Sequence, residues 1–397
     1  MKKPWIVAAV GVASLVAAAL ATGLPTASAA PASVKLHAAH VCKAVAAKGE
    51  ATCHALKMVN AKGVVPAVSA PPAGALTPGQ LRAAYNLTTT SSGGRTVAIV
   101  DAYGYPNLER DLGVYRSTFG LSACTTANGC LRIINQSGGS SLPRLNVGWA
   151  QEQALDVDAV SAACPDCKIL VVQATSSSIV NLGSAVSTAA KQPGVVAISN
   201  SYGGGDLSDA TYGKYYNHPG IAITASTGDG GYQGGSFPAS SQYVTAVGGT
   251  SLSQGGTTSR GWTETAWSDA GSGCSTVNAA LPAAAGFNTG CSNRAIADVA
   301  AAADPGTGGL AVYAPTNSRS SSWAQYGGTS ESSPIIASVY ALAGGGYSNA
   351  TPYSHTGSLF DVSVGSNGTC PMTQWCTARA GWDGPTGLGT PNGVGAF

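Results

Sequence analysis

Short apolar runs alternate with amphipathic stretches along most of this chain. Runs of consecutive apolar residues predict buried β-strands over 96–100, 168–173, 195–199, 221–226 and 243–247. Apolar residues at helical spacing predict helices over 107–119, 151–163 and 179–191, and a last helix that begins near Ser330. Strands that alternate with helices in this way predict an α/β fold, in which a mostly parallel sheet has helices on both faces.

The pattern also predicts how the chain is divided. Residues 76–397 have no interior linker and are expected to form one domain of catalytic size. The Gly- and Ser-rich stretch 251–275 is expected to be a long loop, of the kind that lines a site at the carboxyl ends of strands. Residues 30–75 are rich in Ala and Val and end in a Pro-rich stretch, which predicts a short pro-segment followed by a linker.

Residues 1–29 have the pattern of a secretory signal peptide. Lys2 and Lys3 precede an apolar stretch, and Ala27-Ser28-Ala29 has the Ala-x-Ala form of a cleavage site. No later run is long and apolar enough to span a membrane. The mature product is therefore expected to be secreted, extracellular and free of the membrane once the signal is removed.

The ten cysteines fall into pairs of sequence neighbours, as expected for local disulfides in an oxidising compartment. The predicted pairs are Cys42 with Cys53, Cys124 with Cys130, Cys164 with Cys167, Cys274 with Cys291, and Cys370 with Cys376. The close pair Cys164 and Cys167 leaves zinc binding and a redox motif as alternatives, although no second such pair accompanies it.

Amino-acid composition limits the kinds of molecule that the protein is expected to bind. Only 10% of the residues are charged and the formal net charge is +2, which argues against nucleic acid. A surface that hydroxyl and amide groups make soluble has few ion pairs to lose when the pH falls, so acid tolerance is expected. The chain is expected to be a monomer.

Ser330 is the first candidate for chemistry. It lies in Gly327-Gly328-Thr329-Ser330-Glu331-Ser332-Ser333-Pro334, just before the apolar stripe of the last predicted helix. Its hydroxyl would lie in the first turn, where backbone N–H groups point outward and stabilise an oxyanion. The alternative is a plain Gly-Thr-Ser helix cap.

Acidic residues form the second candidate group. Glu152 and Asp156 are four residues apart and share a face of the predicted helix 151–163, whereas Asp158 is turned away. Burial and like charge would raise the pKa of at least one of the pair, which suits a general base at mildly acidic pH. A solvated acidic face is the alternative.

A third acid, Asp229, follows the predicted strand 221–226 and is flanked by glycines. It is either an ordinary turn residue or an acid kept protonated to donate to an oxyanion. Beyond the N-terminal segment the chain has two histidines, His218 and His355, and both are expected in surface loops. A Ser-His-Asp triad is therefore disfavoured, and a serine assisted by carboxyl groups is what remains.

Together these residues resemble the sedolisin family of serine-carboxyl peptidases, whose domain is similar to an enlarged subtilisin with a glutamate in place of the histidine. The resemblance covers most of residues 76–397. Its motifs are Leu76-Thr77-Pro78-Gly79-Gln80-Leu81, Glu152 with Leu155-Asp156, the 226–231 loop, Ser236-Phe237-Pro238-Ala239-Ser240, the 244–250 run, and Gly328-Thr329-Ser330 with Pro334. Each motif alone is weak evidence for the family, whereas the whole set is specific to it.

The resemblance implies a subtilisin-like fold and a role for each residue. Ser330 would be the nucleophile, Glu152 the general base, Asp156 its hydrogen-bonded partner and Asp229 the oxyanion-hole acid. Ser201, Tyr202 and Gly203 would form the strand edge that pairs with an extended peptide substrate, where the family often has Trp at the position of Tyr202. Asp101 either extends the carboxyl network or caps its strand.

The same resemblance implies a Ca²⁺ site near the C-terminus. Its ligands would be the carboxylates of Asp361 and Asp383 together with backbone carbonyls, as suits calcium. The remaining ligand positions are Val362, Arg379 and Gly381. The family commonly has Gly where Arg379 stands, and two Asp residues in Gly-rich turns are otherwise ordinary turn formers.

Two departures from the family pattern affect the function. The segment between signal and linker is short where the family has a large prodomain, and Glu331 follows the nucleophile where a small residue is usual.

The sequence predicts a secreted endopeptidase that cleaves proteins or peptides at acidic pH through an acyl-enzyme on Ser330. The alternatives are a catalytically impaired binding protein on the same fold, and a glycoside hydrolase, for which Glu152 and Asp156 are too close together.

Overall fold

The computed structural model describes residues 1, 8, 35–43, 46–66, 68–88, 90–256, 259–345 and 347–397. The chain divides into two units, Met1–Val34 and Lys35–Phe397, and the fold described below is that of the second. The predicted signal peptide lies almost entirely outside the described residues. Within them, no helix combines the length and the apolar character needed to cross a membrane.

The strands are short except in the centre of the domain. In chain order they are β1 (His37–His40), β2 (Thr52–Cys53), β3 (Leu56–Val59), β4 (Thr96–Ala102), β5 (Leu131–Asn135), β6 (Lys168–Ala174), β7 (Val195–Asn200), β8 (Tyr202–Gly203), β9 (Ala222–Ser226), β10 (Thr245–Gln254), β11 (Trp262–Ala266), β12 (Gly273–Cys274), β13 (Ala295–Ile296), β14 (Val299–Ala302), β15 (Leu310–Pro315), β16 (Ser321–Gly327), β17 (Leu359–Phe360) and β18 (Thr390–Pro391).

Helices fill most of the connections between the central strands. They are α1 (Pro78–Ala84), α2 (Leu108–Thr118), α3 (Val147–Ala163), α4 (Ile179–Ala189), α5 (Asp209–Tyr212), α6 (Thr329–Ala343) and α7 (Thr351–Ser354). Single 3₁₀ turns cover Gly213–Tyr215, Thr356–Ser358 and Thr373–Trp375, and a longer one covers Pro282–Phe287.

The central sheet has the order β11-β10-β9-β7-β4-β6-β5, and β14 also pairs with β10. Its pairings are parallel except for the antiparallel pair β10 and β11. Alternate residues of each strand face opposite cores. In β4, Val97 and Ile99 pack in one core with α3 and α6, whereas Ala98 and Val100 pack in the other with α4. The predicted α/β fold, with helices on both faces of a mostly parallel sheet, is confirmed.

A second, antiparallel sheet with the order β1-β3-β16-β15 attaches the N-terminal segment to the domain. Leu56 of β3 pairs with Gly327, the last residue of β16. Because α6 starts at Thr329, this pairing brings residues 52–56 to the amino end of the helix that contains Ser330.

The predicted strands and helices are present, with shifts at their ends. Helix α3 begins at Val147 rather than at Gln151, and β10 runs from Thr245 to Gln254 rather than over 243–247. The prediction of a long loop over 251–275 was wrong, because this stretch contains the end of β10, all of β11 and β12. Backbone pairing of β10 with β11 forms a hairpin there, and few of its residues are apolar, which hid the strand pattern.

Disulfides fasten the loops around this core. All the predicted pairs are present: Cys42–Cys53, Cys124–Cys130, Cys164–Cys167, Cys274–Cys291 and Cys370–Cys376. No described cysteine is free, so for Cys164 and Cys167 the structure favours the disulfide over the zinc alternative.

Candidate active site

Ser330 is buried in the first turn of α6, where the sequence placed it. Gly328 precedes the helix with φ 99°, in the left-handed region that glycine adopts without strain. The Ser330 hydroxyl donates a hydrogen bond of 3.3 Å to the carbonyl oxygen of Ser201. The strand β16, the glycine turn and the helix start therefore fix this hydroxyl at a helix N-terminus, next to the edge formed by residues 201–203.

Glu152 and Asp156 lie on one face of α3 and both are fully buried. Glu152 Oε2 accepts the backbone N–H of Ala55 at 2.8 Å, and its Oε1 has no partner among the described groups. Asp156 Oδ1 accepts the Ser201 hydroxyl at 2.7 Å. The solvated acidic face that the sequence left open is thus excluded for these two residues.

Burial raises the pKa of Glu152 well above its ordinary value. The neighbouring Asp101 raises it further, whereas the Ser330 hydroxyl and the Ala55 N–H lower it. Burial likewise raises the pKa of Asp156, and the carboxyls of Asp101 and Glu152 add to the effect. Charged carboxylates are costly in this dry environment, so the group retains protons to a higher pH than exposed acids do.

Asp101, at the carboxyl end of β4, is the third member of the group. It is buried, and burial raises its pKa well above the usual range, while hydrogen bonding with Asp156 lowers it. The nearness of Asp101 in turn raises the pKa of Asp156, so the two carboxyls affect each other's protonation. Of the two interpretations of Asp101, the structure favours an extension of the carboxyl network.

Asp229 lies beside the amino end of α6. Its Oδ1 accepts the Thr329 N–H at 2.8 Å and the Thr329 hydroxyl at 2.9 Å, and its Oδ2 is shielded from solvent and has no partner. Burial raises the pKa of Asp229 to about 8, against the opposing effect of the bonds from Thr329. The residue as a whole is partly exposed, so Oδ2 lies at the boundary between cleft and protein.

Residues 201–203 form the edge that was predicted to bind a peptide, and a peptide of this same chain is paired with it. Strand β2 runs antiparallel to β8, with Thr52 opposite Gly203 and Cys53 opposite Tyr202. The next N–H, that of His54, donates to Ser201 O at 3.2 Å. The Tyr202 side chain points away from this edge, since it is buried and its hydroxyl bonds to Asn200 at 2.8 Å.

His54 is the residue at the site that sequence reasoning missed. Its ring Nδ1 lies 2.7 Å from the Ser226 hydroxyl, and burial lowers its pKa to about 3. The Ser226 contact and the low pKa both argue against His54 as a base for Ser330. His54 lies between Cys53 and Ala55 in the predicted pro-segment, and its spacing from the other candidate residues gave no sign of a place at the site. Only the pairing of β2 with β8 brings it here.

A cavity of about 480 Å³ lies beside His54. Glycine-rich loops form most of its wall, among them residues 228–231 and 233–236 with Ser272. This cavity leaves room for side chains of a bound peptide.

Glu331 and the two remaining histidines lie away from the reacting groups. Glu331 is buried and its Oε2 accepts the Leu310 N–H at 3.3 Å. His218 contacts the Tyr215 carbonyl and His355 that of Thr351, both at 3.0 Å. The structure therefore brings Ser330, Glu152, Asp156 and Asp229 together and leaves Glu331, His218 and His355 outside the group.

The predicted calcium ligands cluster in the loops around 361 and 379–386. Asp361 Oδ2 accepts the Gly381 N–H at 3.0 Å, and Asp383 accepts the Arg379 N–H at 3.1 Å and the Thr386 hydroxyl at 2.9 Å. Among the described residues there is no group of three or more His, Cys, Asp or Glu side chains that could hold a metal. A site here would depend on two carboxylates and backbone carbonyls.

The model of the subtilase family matches residues 146–363. Kumamolisin of Bacillus sp. (strain MN-32) is 30% identical over 363 residues, which cover 81% of this chain and 62% of kumamolisin. Tripeptidyl-peptidase 1 of Canis lupus familiaris is 33% identical over 189 residues, 40% of this chain and 31% of that protein. The chain thus spans less than two thirds of these relatives.

Among solved structures, Pseudomonas sedolisin, a serine-carboxyl proteinase complexed with two molecules of pseudo-iodotyrostatin, superposes with a TM-score of 0.66 at 24% identity. The match covers 81% of this chain and 96% of that one, and it shows the shared subtilisin-like fold. The chain belongs to the subtilase family, and the likeness to kumamolisin and sedolisin confirms the predicted resemblance to the sedolisins.

Proposed function

We propose that the protein is a secreted serine-carboxyl endopeptidase that hydrolyses protein or peptide bonds at acidic pH. The observation that carries this proposal is the convergence of one buried serine hydroxyl with Glu152 and Asp229, without a histidine that could act as base. Family membership supports a peptidase, and the geometry supports the roles of the individual residues.

Glu152 is the general base. Its Oε1 has no partner, and the Ser330 hydroxyl is close enough to lower the pKa of Glu152. A rotation of the hydroxyl from Ser201 O towards Oε1 lets the carboxylate take the proton as Ser330 Oγ adds to the substrate carbonyl. Asp156 and Asp101 lie behind Glu152 and retain their protons, so the negative charge on Glu152 is not repelled by two further charges.

Asp229 stabilises the oxyanion. In its protonated form the shielded Oδ2 donates a hydrogen bond to the oxygen that becomes negative, while Oδ1 stays bonded to Thr329. Glu152 has to be ionised and Asp229 protonated at the same pH. The proposal therefore requires Glu152 to lose its proton on the acid side of the Asp229 pKa of about 8.

An endopeptidase needs a cleft that accepts chain on both sides of the reacting bond. Upstream of His54, Ala51 N–H bonds to Ser177 O at 2.8 Å and Glu50 bridges to Ser178. Downstream, residues 56 and 57 pair with the end of β16. The groove thus accommodates more than three residues before the reacting position, which supports internal cleavage over removal of tripeptides.

The proposal includes a bound Ca²⁺ at the C-terminal loops. Burial raises the pKa of Asp383 and the nearby Asp361 adds to the effect, and backbone carbonyls of Val362, Arg379 and Gly381 lie in the same loops. Two carboxylates with carbonyl oxygens fit the oxygen ligands that calcium prefers. The ion would fasten the loops and take no part in the reaction.

The test is covalent labelling of the protein at pH 4 by a peptide aldehyde, followed by mass spectrometry. The adduct is expected on Ser330, and casein turnover at pH 4 is expected to fall at least about a thousandfold in Ser330→Ala and in Glu152→Gln. Glu109→Gln, on the exposed surface, is the matched control. Robust proteolysis at neutral pH in the Glu152→Gln variant would overturn the assignment.

A further inference from the structure

Residues 50–56 lie in the groove as an extended peptide, in the manner of an added β-strand. Main-chain pairing with a sheet edge is a general mode of peptide recognition, in which pockets for alternate side chains give the specificity. Here the edge is β8, and the pairs Thr52–Gly203 and Cys53–Tyr202 set the register. The His54 N–H and the Ser330 hydroxyl share one acceptor, Ser201 O, which brings His54 beside the nucleophile.

The peptide bond between His54 and Ala55 lies among the groups of the proposed active site. The Ala55 N–H donates to Glu152 Oε2 at 2.8 Å. On the other side of the bond, a Cβ on Gly328 would lie 2.0 Å from the His54 carbonyl oxygen and 2.8 Å from Asp229 Oδ2, so both oxygens border Gly328. The carbonyl thus lies on the Asp229 side of the bond, beside Gly328, and the amide N–H bonds to the proposed base.

The His54 ring fills a defined pocket. Ser226, the fully buried last residue of β9, contacts ring Nδ1 at 2.7 Å. A Cβ on Gly203 would lie 2.6 Å from His54 Cε1 and 2.5 Å from Ser236 Oγ, so the ring depends on a glycine at that position. The cavity of about 480 Å³ opens beside the ring, so the pocket also has room for larger side chains. The hydrogen bond to Ser226, rather than the size of the side chain, would therefore favour histidine.

We propose that Ser226 and Gly203 form the pocket for the residue before the cleaved bond, that the pocket selects an imidazole side chain, and that His54–Ala55 is its built-in substrate. This inference rests on the proposed function. Ser330 Oγ adds to the His54 carbonyl carbon while Glu152 takes its proton. The C–N bond then breaks, Glu152 returns the proton to the Ala55 nitrogen, and water releases His54 from Ser330 as a carboxylate.

Cleavage there has a structural consequence. Cys42 and Cys53 both precede the bond, so their disulfide does not tether the released fragment to the domain. The new N-terminus, Ala55, is followed directly by β3, which stays paired with β16. The released piece contains β1, β2 and His54, and its loss opens the edge of β8 to other peptides.

The first experiment follows the full chain at pH 4 by intact mass and N-terminal sequencing. The expected product begins at Ala55, and the Ser330→Ala chain is expected to stay intact at this bond. A second experiment uses fluorogenic decapeptides that copy residues 50–59, with Ser at position 53 and His, Phe, Leu or Ala at position 54. The wild-type enzyme is expected to cut the His peptide with the highest kcat/KM.

Single substitutions in the pocket test whether it selects histidine. In Ser226→Ala the ratio of kcat/KM for the His peptide to that for the Phe peptide is expected to fall about tenfold, the effect of one lost buried hydrogen bond. Gly203→Ala is expected to cut the His peptide at least about tenfold less well, whereas in Gly205→Ala, whose Cβ would meet nothing within 4 Å, cleavage is expected to be preserved.

Two outcomes overturn the inference: a mature N-terminus elsewhere in residues 35–75, or a His-to-Phe ratio that Ser226→Ala leaves unchanged. In either case cleavage of casein and labelling of Ser330 would still support the proposed function. If the wild-type chain cuts no peptide of the set and Ser330 takes no label, the proposed function itself fails.

Discussion

Asp229 accepts two hydrogen bonds from Thr329, and both end on the same oxygen, Oδ1. The backbone N–H lies 2.8 Å and the hydroxyl 2.9 Å from that atom, so the shielded Oδ2 is left as the place for a proton. One carboxyl oxygen thus accepts both bonds, and the other is left for the donor role that the proposed function gives it. This division of roles distinguishes Asp229 from an ordinary turn residue.

Asp229→Asn is expected to remove the alkaline limit of activity. The amide oxygen can accept the bonds from Thr329, and the amide nitrogen replaces Oδ2 as a donor that does not titrate. In the wild type, kcat/KM is expected to fall as Asp229 ionises, around its pKa of about 8. The measurement is the pH dependence of kcat/KM for one peptide substrate between pH 4 and 9.5.

Asp269→Asn is the control for that profile. The Asp269 charge raises the pKa of Asp229 from an exposed position, so its removal is expected to move the alkaline limb to slightly lower pH without abolishing it. An alkaline limb that is the same in the wild type and in Asp229→Asn would assign the titration to another group.

Glu331→Gln is expected to leave peptide turnover within about twofold of the wild type. Its Oε2 accepts the Leu310 N–H, and a glutamine oxygen can accept the same bond. Glu331→Ala leaves that buried N–H without a partner and is expected to lower the free energy of unfolding by about 1–3 kcal/mol. The measurements are kcat/KM at pH 4 and urea unfolding. A turnover gain of tenfold or more in Glu331→Gln would support the impaired-enzyme alternative.

Stability is expected to fall as the pH rises from 6.5 to 8.5. Burial raises the pKa values of Glu152, Asp156 and Asp229 above those of the unfolded chain, so the native state holds more protons in this range. Such groups contribute fully below their unfolded pKa values near 4, and the contribution is lost as the pH passes the folded values. His54, whose pKa is lowered to about 3, acts in the opposite direction only up to about pH 6.5.

Thermal unfolding of the Ser330→Ala chain, which avoids self-digestion, measures this effect by circular dichroism. Tm is expected to decrease from pH 6.5 to 8.5, and the decrease is expected to be smaller when Asp229→Asn is added, because one titrating group is gone. A Tm that rises over the same interval would contradict the raised pKa values.

Calcium is expected to raise Tm, and above Kd the stabilisation is expected to grow with the logarithm of the calcium concentration. Saturation to a hundred times Kd would stabilise the native state by about 2.7 kcal/mol, because the ion binds the folded loops. Asp361→Asn keeps an acceptor for the Gly381 N–H but removes a charge, so its response to calcium is expected to be lost. Asp206→Asn, in a loop bonded to Ser275 and Thr276, serves as the control with a wild-type response. A wild-type Tm indifferent to both calcium and chelator would remove calcium from the proposal.

Short-range sequence features were sufficient to predict which elements carry the main residues of the site. The spacing of Glu152 and Asp156 placed both carboxyls on one face of a helix, and the Gly-Thr-Ser run placed Ser330 in the first turn of α6. These are short-range properties, since helical periodicity and a glycine before a helix act over a few residues. The cysteine pairing was equally local.

Contacts between distant segments were beyond such reasoning. The sequence offered Asp101 as either a cap or part of the network, and treated Glu331 as a threat to the site because it follows Ser330. In the structure Asp101 meets Asp156 across α3, and Glu331 turns to Leu310. Neighbours in sequence on a helix point in different directions, and which direction faces which partner depends on packing.

The sequence by itself determined the α/β framework, the disulfide pairs and the identity of the groups able to do chemistry. Each of these depends on side-chain type and on spacing over short stretches of the chain. The tertiary structure alone decided that residues 50–56 lie in the groove and that His54 contacts Ser226, which is 172 positions away. The pairing of β2 with β8 is made by backbone N–H and C=O groups, which nearly every residue has. No side-chain pattern in the sequence could therefore predict it.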